Sequence, residues 1–360
     1  MNESSTRLTD LLGIRWPLIQ APMAGGPTTS ELVAAVSNAG ALGSLGAALS
    51  SPSAMREDVA RIRSLTSAPF AVNLFILDPI VADDADIDAS QAALSGYRQE
   101  LGLAPPTRPT RFAEDNASQF EALVELAPPV ASFTFGILSE RDVERLQRAG
   151  SKVFGTATSV AEALAWERVG ADAVCLQGIE AGGHRGSFLE ADGADDLGVF
   201  ALVASARRST KIPLIAAGGI MEGRELRAAL QLGADAGQLG TAFLCCPESG
   251  ASALWKATLQ EAGPDSTELT RAFTGRYARA LTNRFTREFR EERAIAPYPI
   301  QNVLTREIRQ AAAAAGRTEF LSYWAGQGVD GVRPISAQAL VELLMRECFD
   351  EQSVGSLGGV

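Results

Sequence analysis

The sequence predicts an α/β protein, a (β/α)8 TIM-type barrel with an appended C-terminal helical segment. Up to residue 239, short apolar runs alternate with segments of helical period. The tetrapeptide Gly-Ala-Asp-Ala occurs at 170–173 and again at 233–236, each time where a glycine ends a helical segment and an apolar run follows. This repeat indicates a β/α unit used more than once. The number of strand candidates, eight, favours a closed parallel barrel, with an open doubly wound sheet as the alternative.

The strand candidates are apolar runs of four to seven residues. They cover 17–23, 42–45, 70–76, 130–135, 153–156, 173–176, 213–217 and 236–239. The third run is apolar except for Asn73, and a polar residue inside a buried strand suggests a role at a site.

Helical periodicity fills the intervals between these runs. The predicted helices cover 31–39, 52–65, 118–126, 140–149, 160–169, 197–207, 224–232 and 251–259. Ser30 is a plausible N-cap for the first of them, and Gly40 ends it.

Two regions do not follow the alternation of predicted strands and helices. An insertion near 78–110 holds the acidic cluster 83–86, which we interpret as a solvated surface loop with a weak helical stretch near 89–101. After residue 262 the chain becomes rich in arginine between 271 and 293, and 311–315 is helical in character. We therefore predict a barrel over 1–262 and a helical cap with a C-terminal segment packing on the barrel over 263–360. The arginines are interpreted equally as a solvated face or as an attraction for anions.

The composition and charge of the chain limit the classes of partner that it is expected to bind. The 360 residues carry a formal net charge of −11, which disfavours binding to nucleic acid or to an anionic membrane surface and favours a small-molecule partner. No apolar run reaches the length of a membrane span, and the polar start lacks a signal-peptide core, so we expect a cytoplasmic protein. Four cysteines without metal-ligand spacing and one histidine predict no metal site and reduced thiols. Monomer and homodimer both stay open.

The single histidine, His184, lies in the glycine-rich loop 177–186 directly after a predicted strand. Loops that leave buried strands are where α/β folds keep their sites. Imidazole can exchange a proton near neutral pH, so His184 is the candidate catalytic residue, with Gly182 and Gly183 letting the backbone approach a ligand.

Glycines also follow the last two predicted barrel strands. Gly218 and Gly219 follow one, and Gln238-Leu239-Gly240-Thr241 ends the other. Barrels often bind phosphate at these two strand ends through exposed backbone N–H groups, so together they predict a phosphate cradle to which Thr241 adds a hydroxyl. The small residues after the first strand, Ala21 to Gly26, would let a flat ring lie against the backbone.

These motifs together resemble the nitronate monooxygenases, formerly called 2-nitropropane dioxygenases. The resemblance runs from about residue 15 to 327. The motifs that carry it are Gln20-Ala21-Pro22-Met23, Asn73, the loop from Gln177 to His184, Ala217-Gly218-Gly219-Ile220, Gln238-x-Gly240-Thr241 and Thr274-Gly275-Arg276-x-Ala278-Arg279. It implies a β/α barrel that binds FMN without covalent attachment and oxidises alkyl nitronates with O2 to carbonyl compounds and nitrite.

The resemblance also implies roles for individual residues. The backbone of Ala21, Pro22 and Met23 should contact the isoalloxazine ring, and Asn73 and Gln177 should hydrogen-bond it. Gly182 should line the cofactor; the phosphate should be held by Gly218, Gly219, Gly240 and Thr241, with Gln238 nearby. His184 matches the catalytic histidine, and Gln327 is expected to approach the flavin.

Two other functions stay open at this point. The same barrel with FMN serves NAD(P)H-dependent reductases of quinones or enoyl thioesters, and a non-catalytic flavin-binding protein is a third possibility.

Overall fold

The computed structural model describes residues 4–79, 83–189, 197–290 and 294–350. Its strands are β1 (Leu18–Gln20), β2 (Gly43–Gly46), β3 (Phe70–Phe75), β4 (Val130–Thr134), β5 (Lys152–Ala157), β6 (Ala173–Gln177), β7 (Gly183–His184), β8 (Leu214–Ala217), β9 (Ala236–Leu239), β10 (Thr267–Thr270) and β11 (Ala278–Leu281).

Eight of these strands form one parallel sheet in the order β1-β9-β8-β6-β5-β4-β3-β2. The sheet closes because the Gln20 N–H donates to the Leu42 carbonyl and the Leu42 N–H donates to the Leu18 carbonyl, which joins β1 to the start of β2. The predicted barrel is therefore confirmed, and the open doubly wound sheet is wrong. The first strand is shorter than the predicted run 17–23, because Pro17 and Pro22 have no N–H to donate to a ladder.

Helices surround this barrel. They are α1 (Arg7–Leu12), α2 (Ser30–Asn38), α3 (Pro52–Leu65), α4 (Asp84–Glu100), α5 (Asn116–Leu126), α6 (Glu140–Ala149), α7 (Val160–Arg168), α8 (Val199–Ser209), α9 (Gly223–Gln231), α10 (Thr241–Leu244), α11 (Ala253–Gln260), α12 (Arg284–Glu288), α13 (Ile300–Leu304), α14 (Arg306–Ala314) and α15 (Ala337–Phe349). The caps follow the sequence signals: Ser51 accepts the Ala54 N–H at the start of α3, and Ser139 accepts the Asp142 N–H at the start of α6. The N-cap of α2 is Thr29 rather than the predicted Ser30.

Helix α15, which the sequence did not predict, returns from the far end of the chain to the outer layer of the barrel. It packs against α2 and α9, and its Leu340 and Leu344 belong to the same buried cluster as the barrel strands. The helices that follow the first and seventh barrel strands are α2 and α9, so α15 fills the remaining place in the outer ring between them.

A second buried cluster lies outside the barrel. It joins Ile87 and Leu94 of α4 to aromatic residues of the C-terminal part, including Phe285 and Phe320. The Ser90 hydroxyl donates to the Gln301 side-chain oxygen at 2.6 Å within it. The insertion near 78–110 is therefore largely a helix packed on the cap rather than a surface loop, and the clusters do not divide at residue 262. Residues 80–82 of the insertion, Arg293, and 351–360 lie outside the described residues.

The C-terminal part contains the expected helices and also two strands that were not predicted. Strand β11 pairs antiparallel with β10 on one side and with β7 on the other, with Ala278 opposite His184. This small sheet fixes the histidine loop to the cap. In the described part of the chain no helix is long and apolar enough to cross a membrane.

Candidate active site

A cavity of about 320 Å³ opens at the carboxyl ends of the barrel strands. Its volume lies at the lower end of the range for small-molecule sites, about 300–1,000 Å³. The cavity wall brings together nearly all of the predicted site residues, namely Ala21, Pro22, Met23, Asn73, Gln177, Gly182, Gly183, His184, Gly218, Gly219, Gln238, Leu239, Gly240 and Thr241. Gln327 is the exception: its side chain is exposed, and its N–H donates to the Glu180 carbonyl at 2.9 Å.

One end of the cavity has the features of an anion cradle. Gly218 and Gly219 have φ angles of 124° and 70°, in the region that favours glycine. The Thr241 hydroxyl accepts the Gly326 N–H at 2.9 Å, which leaves its own proton to donate. Amides at a helix start lack partners further back in the helix, although in α10 the Phe243 N–H donates to the Gly240 carbonyl at 2.9 Å. This end is therefore rich in donors.

The start of α8, by contrast, is already occupied by a carboxylate. Both oxygens of Glu180 lie 3.0 Å from the Val199 nitrogen and accept its N–H. Glu180 thus caps the start of α8. A ligand phosphate would meet repulsion at this helix and attraction at the neighbouring glycine turns.

The barrel floor supplies a layer of small polar groups that the sequence did not single out. The Asn73 amide donates to the Ser132 hydroxyl at 3.1 Å, and the Thr134 and Thr156 hydroxyls are 3.3 Å apart. Ser132, Thr134 and Thr156 all line the cavity. Alternate polar residues along β4 were the available signal, because side chains at i and i+2 share one face of a strand.

Gln177 is engaged with the histidine loop itself. Its amide nitrogen donates to the His184 carbonyl at 3.0 Å, and its oxygen accepts the Gly186 N–H at 2.8 Å. One amide hydrogen is left for a ligand, so the first function of this side chain is to hold the loop in place. Gln238 donates to the Cys175 sulfur at 3.3 Å, and burial raises the pKa of that thiol to about 12. Cys175 is therefore a protonated packing residue at neutral pH, and all four cysteines are buried and free.

His184 sits in an aromatic enclosure at the cavity wall. The ring centroids of Phe135, Tyr298 and Trp324 lie 5.7, 5.5 and 5.2 Å from the imidazole centroid. Burial lowers the pKa of His184 to about 3, with smaller contributions from the charges of Arg276 and Arg309. The imidazole is thus neutral near pH 7 and is able to accept a proton.

The cationic groups near His184 have no carboxylate paired with them in the described part of the chain. Arg276 lies 4.2 Å over the Phe135 ring and donates to the carbonyls of Arg185 and Ser187. Arg309 donates to the Asn302 side-chain oxygen at 2.8 Å, while its Nε is buried without a partner. Among the described residues that line the cavity, Arg309 is the one ionised side chain. The cavity is therefore electropositive in a protein of net negative charge.

Comparison with known proteins agrees with this geometry. The family model for nitronate monooxygenase matches residues 5–347. A probable nitronate monooxygenase from Staphylococcus saprophyticus is 40% identical over 95% of this chain and 97% of its own length. The chain belongs to the nitronate monooxygenase family.

Two solved structures place this member of the family among its relatives. Nitroalkane oxidase from Streptomyces ansochromogenes is 41% identical, with a TM-score of 0.89 over 96% of this chain and 99% of the other. FabK from Thermotoga maritima is 30% identical, with a TM-score of 0.75 over 97% of each chain. In this nitronate monooxygenase family member, the cap supplies site residues to which the sequence assigned no role: Tyr298, Asn302, Arg309 and Trp324.

Proposed function

We propose that the protein binds FMN in this cavity and oxidises alkyl nitronates with O2 to carbonyl compounds and nitrite. The observation that carries the proposal is a neutral imidazole, His184, in a cavity whose one ionised lining side chain, among the residues described, is the cation Arg309. Such a site attracts an anion and offers a base beside it. Family membership supports the same reaction.

The residues present fit FMN. The family is flavin-dependent, and the donors around Gly219, Gly240 and Thr241 suit one phosphate. Asn73 and Gln177 line the same cavity as Ala21, Pro22 and Met23, against which a ring would lie. Bound FMN would accept electrons from the substrate and pass them to O2.

The chain's own groups then have separate tasks. His184 takes the α-proton when the substrate arrives as a neutral nitroalkane. Arg309, held by Asn302, stabilises the negative charge of the nitronate in either case. The rings of Phe135, Tyr298 and Trp324 exclude water, which strengthens both interactions.

The decisive experiment is an absorbance spectrum of the purified protein, followed by anaerobic mixing with a preformed nitronate. We expect a flavin spectrum, FMN released unchanged by heat or acid, and bleaching of the flavin on mixing. Recovery of FAD would contradict the cofactor assignment. A flavin that is bleached by NADH or NADPH but not by nitronates would contradict the reaction and favour the reductase alternative. The cytoplasmic location and the oligomeric state stay predictions.

A further inference from the structure

We infer that Thr274 is a positioning residue that fixes the tautomer of His184, so that Nε2 carries the proton and Nδ1 is the nitrogen that accepts one. The inference rests on the proposed function in so far as His184 acts as a base there. Two hydrogen bonds carry it: His184 Nε2 lies 2.9 Å from Thr274 Oγ1, which lies 3.2 Å from the Arg276 carbonyl oxygen.

The direction of these bonds follows from what each group can do. A carbonyl oxygen only accepts, so the bond to Arg276 uses the single hydroxyl proton of Thr274. Thr274 can then only accept from the imidazole, which places the ring proton on Nε2. The opposite tautomer would use the hydroxyl proton at Nε2, and the Arg276 carbonyl would lose this donor. It would also place a proton on Nδ1, for which the described residues offer no acceptor. With the proton on Nε2, both the His184–Thr274 and the Thr274–Arg276 hydrogen bonds form. With the proton on Nδ1, only the first of them forms.

The surroundings hold Thr274 against the histidine strand. Thr274 is buried, and Arg276, two residues on, donates from Nε to the Arg185 carbonyl at 2.9 Å. The Arg185 N–H in turn donates to the Tyr277 carbonyl at 2.9 Å. Gly275, between Thr274 and Arg276, has a φ of 87°, and a Cβ there would lie 2.2 Å from the Ala296 carbonyl oxygen. The backbone of this turn is therefore held in place beside the histidine strand.

The two nitrogens of the His184 ring therefore have different roles. Nε2 is anchored to the cap, and Nδ1 is left for the cavity, where no described side chain competes for its lone pair. When Nδ1 takes a proton from the substrate carbon, the ring becomes a cation, and its Nε2–H bond to Thr274 strengthens. Thr274 thus stabilises the protonated base without touching the substrate.

The chain offers an unusually direct test, because it contains one histidine. Protein labelled with ¹⁵N-histidine, free of any histidine tag and loaded with FMN, should give a single pair of ring nitrogen signals. We expect a pyrrole-type shift for Nε2 and a pyridine-type shift for Nδ1 at neutral pH. The reverse assignment would overturn the inference, whether or not the protein turns over nitronates.

Variants separate this role from simple packing. Thr274→Val keeps the shape and removes the acceptor, so turnover of a neutral nitroalkane should fall about tenfold, the size of one lost hydrogen bond to a charged group. Thr274→Ser should restore both turnover and the ring shifts. The matched control is Thr305→Val, which removes a buried hydroxyl bonded to the adjacent Phe273 carbonyl at 2.6 Å and should leave the shifts unchanged.

The pH profile adds a measurement that a structural defect would not move. The charged and titratable groups that face His184 are Arg276, Arg309 and Tyr298, and Thr274→Val changes none of these side chains, although it removes the donor to the Arg276 backbone carbonyl. The acid limb of the nitroalkane profile should therefore shift to lower pH in Thr274→Val alone. Unchanged turnover and an unchanged acid limb in that variant would overturn the inference. If Thr274→Val does not fold, the ¹⁵N chemical shifts of the wild-type His184 ring and the behaviour of Thr274→Ser still test the inference. If the wild-type protein turned over neither the neutral nitroalkane nor its nitronate, the proposed function would be rejected instead.

Discussion

In the proposed function His184 is the base, and its neutral state sets what it can do. Since burial holds its pKa near 3, the ring meets the substrate as a base rather than as a cation. We predict that His184→Asn keeps FMN but loses about 100-fold or more of its turnover on a neutral nitroalkane, the size expected for loss of a general base. A preformed nitronate should lose less, because it has already given up its proton.

The measurement compares turnover of one nitroalkane and its own nitronate in wild type and variant, with flavin occupancy determined for each. Equal losses on the two forms would give His184 an electrostatic or structural role. Full activity on both forms would remove it from the mechanism.

Replacing Arg309, unlike replacing His184, should strongly reduce activity on the nitronate. Its guanidinium is the one cation lining the described part of the cavity, and replacing it by methionine removes a charge-assisted hydrogen bond to the substrate anion. We predict that Arg309→Met lowers kcat/KM for a nitronate by about 10- to 100-fold, corresponding to about 1.5–3 kcal/mol. The matched control is Arg306→Met, which removes an exposed arginine from the same helix. Similar losses in both variants would show that only the general field of the cap matters.

At the scale of elements, the turns after β8 and β9 are the proposed holders of the FMN phosphate. We predict that Gly219→Glu abolishes FMN retention, because the new carboxylate would occupy and repel the phosphate position. Gly316→Glu is the control: Gly316 has nearly the same φ, 68° against 70°, but open space around it and no place in the cavity wall. Flavin content after gel filtration measures the effect. Equal loss in the two variants would trace it to backbone strain alone.

The barrel strands were predictable because each is a compact apolar run of the kind that parallel sheets bury on both faces. Strands β7, β10 and β11 were not, since none of them is an apolar run: β10 contains Glu268 and β11 contains Arg279. They also pair across long stretches of sequence, as Ala278 does with His184. Their pairing depends on the cap, and no local signal in the loop records it.

The same reason explains which site residues were missed. Gly218, Gly219 and His184 stand directly after strands, so the fold class alone places them at one end of the barrel. Thr274 belongs to a motif that carries the resemblance, but the sequence assigned it no role, and no sequence signal in the cap marked Asn302 and Arg309. Their position over the cavity follows from the packing of α13 and α14 on α4, which is a property of the tertiary structure.

At the scale of the whole molecule, charge is unevenly distributed. The chain has a net charge of −11, yet the described cavity wall carries a single ionised group, and that group is cationic. Much of the remaining arginine is used in ion pairs on the cap, as where Arg284 and Arg317 share Glu100 and lower the pKa of its carboxyl to about 2. These exposed pairs contribute little to stability. Within the arginine-rich segment 271–293, Arg284 and Arg290 are ion-paired, whereas Arg276 and Arg279 donate to carbonyl oxygens of the histidine loop.

The single histidine also makes the pH dependence of stability traceable to one group. Burial lowers the pKa of His184 from 6.5 to about 3, so between these values the unfolded chain binds a proton that the folded chain does not. The stability contribution of the neutral ring is therefore fully present above about pH 6.5 and is lost progressively as pH falls toward 3. We predict that the free energy of unfolding falls by about 2 kcal/mol more between pH 7 and pH 5 in wild type than in His184→Gln. Carboxylates titrate alike in both proteins, so the difference between their denaturant midpoints at the two pH values isolates the imidazole. Parallel pH dependence in wild type and variant would mean that the folded protein protonates His184 as readily as the unfolded chain does, and that the ring is not the buried neutral base assigned to it.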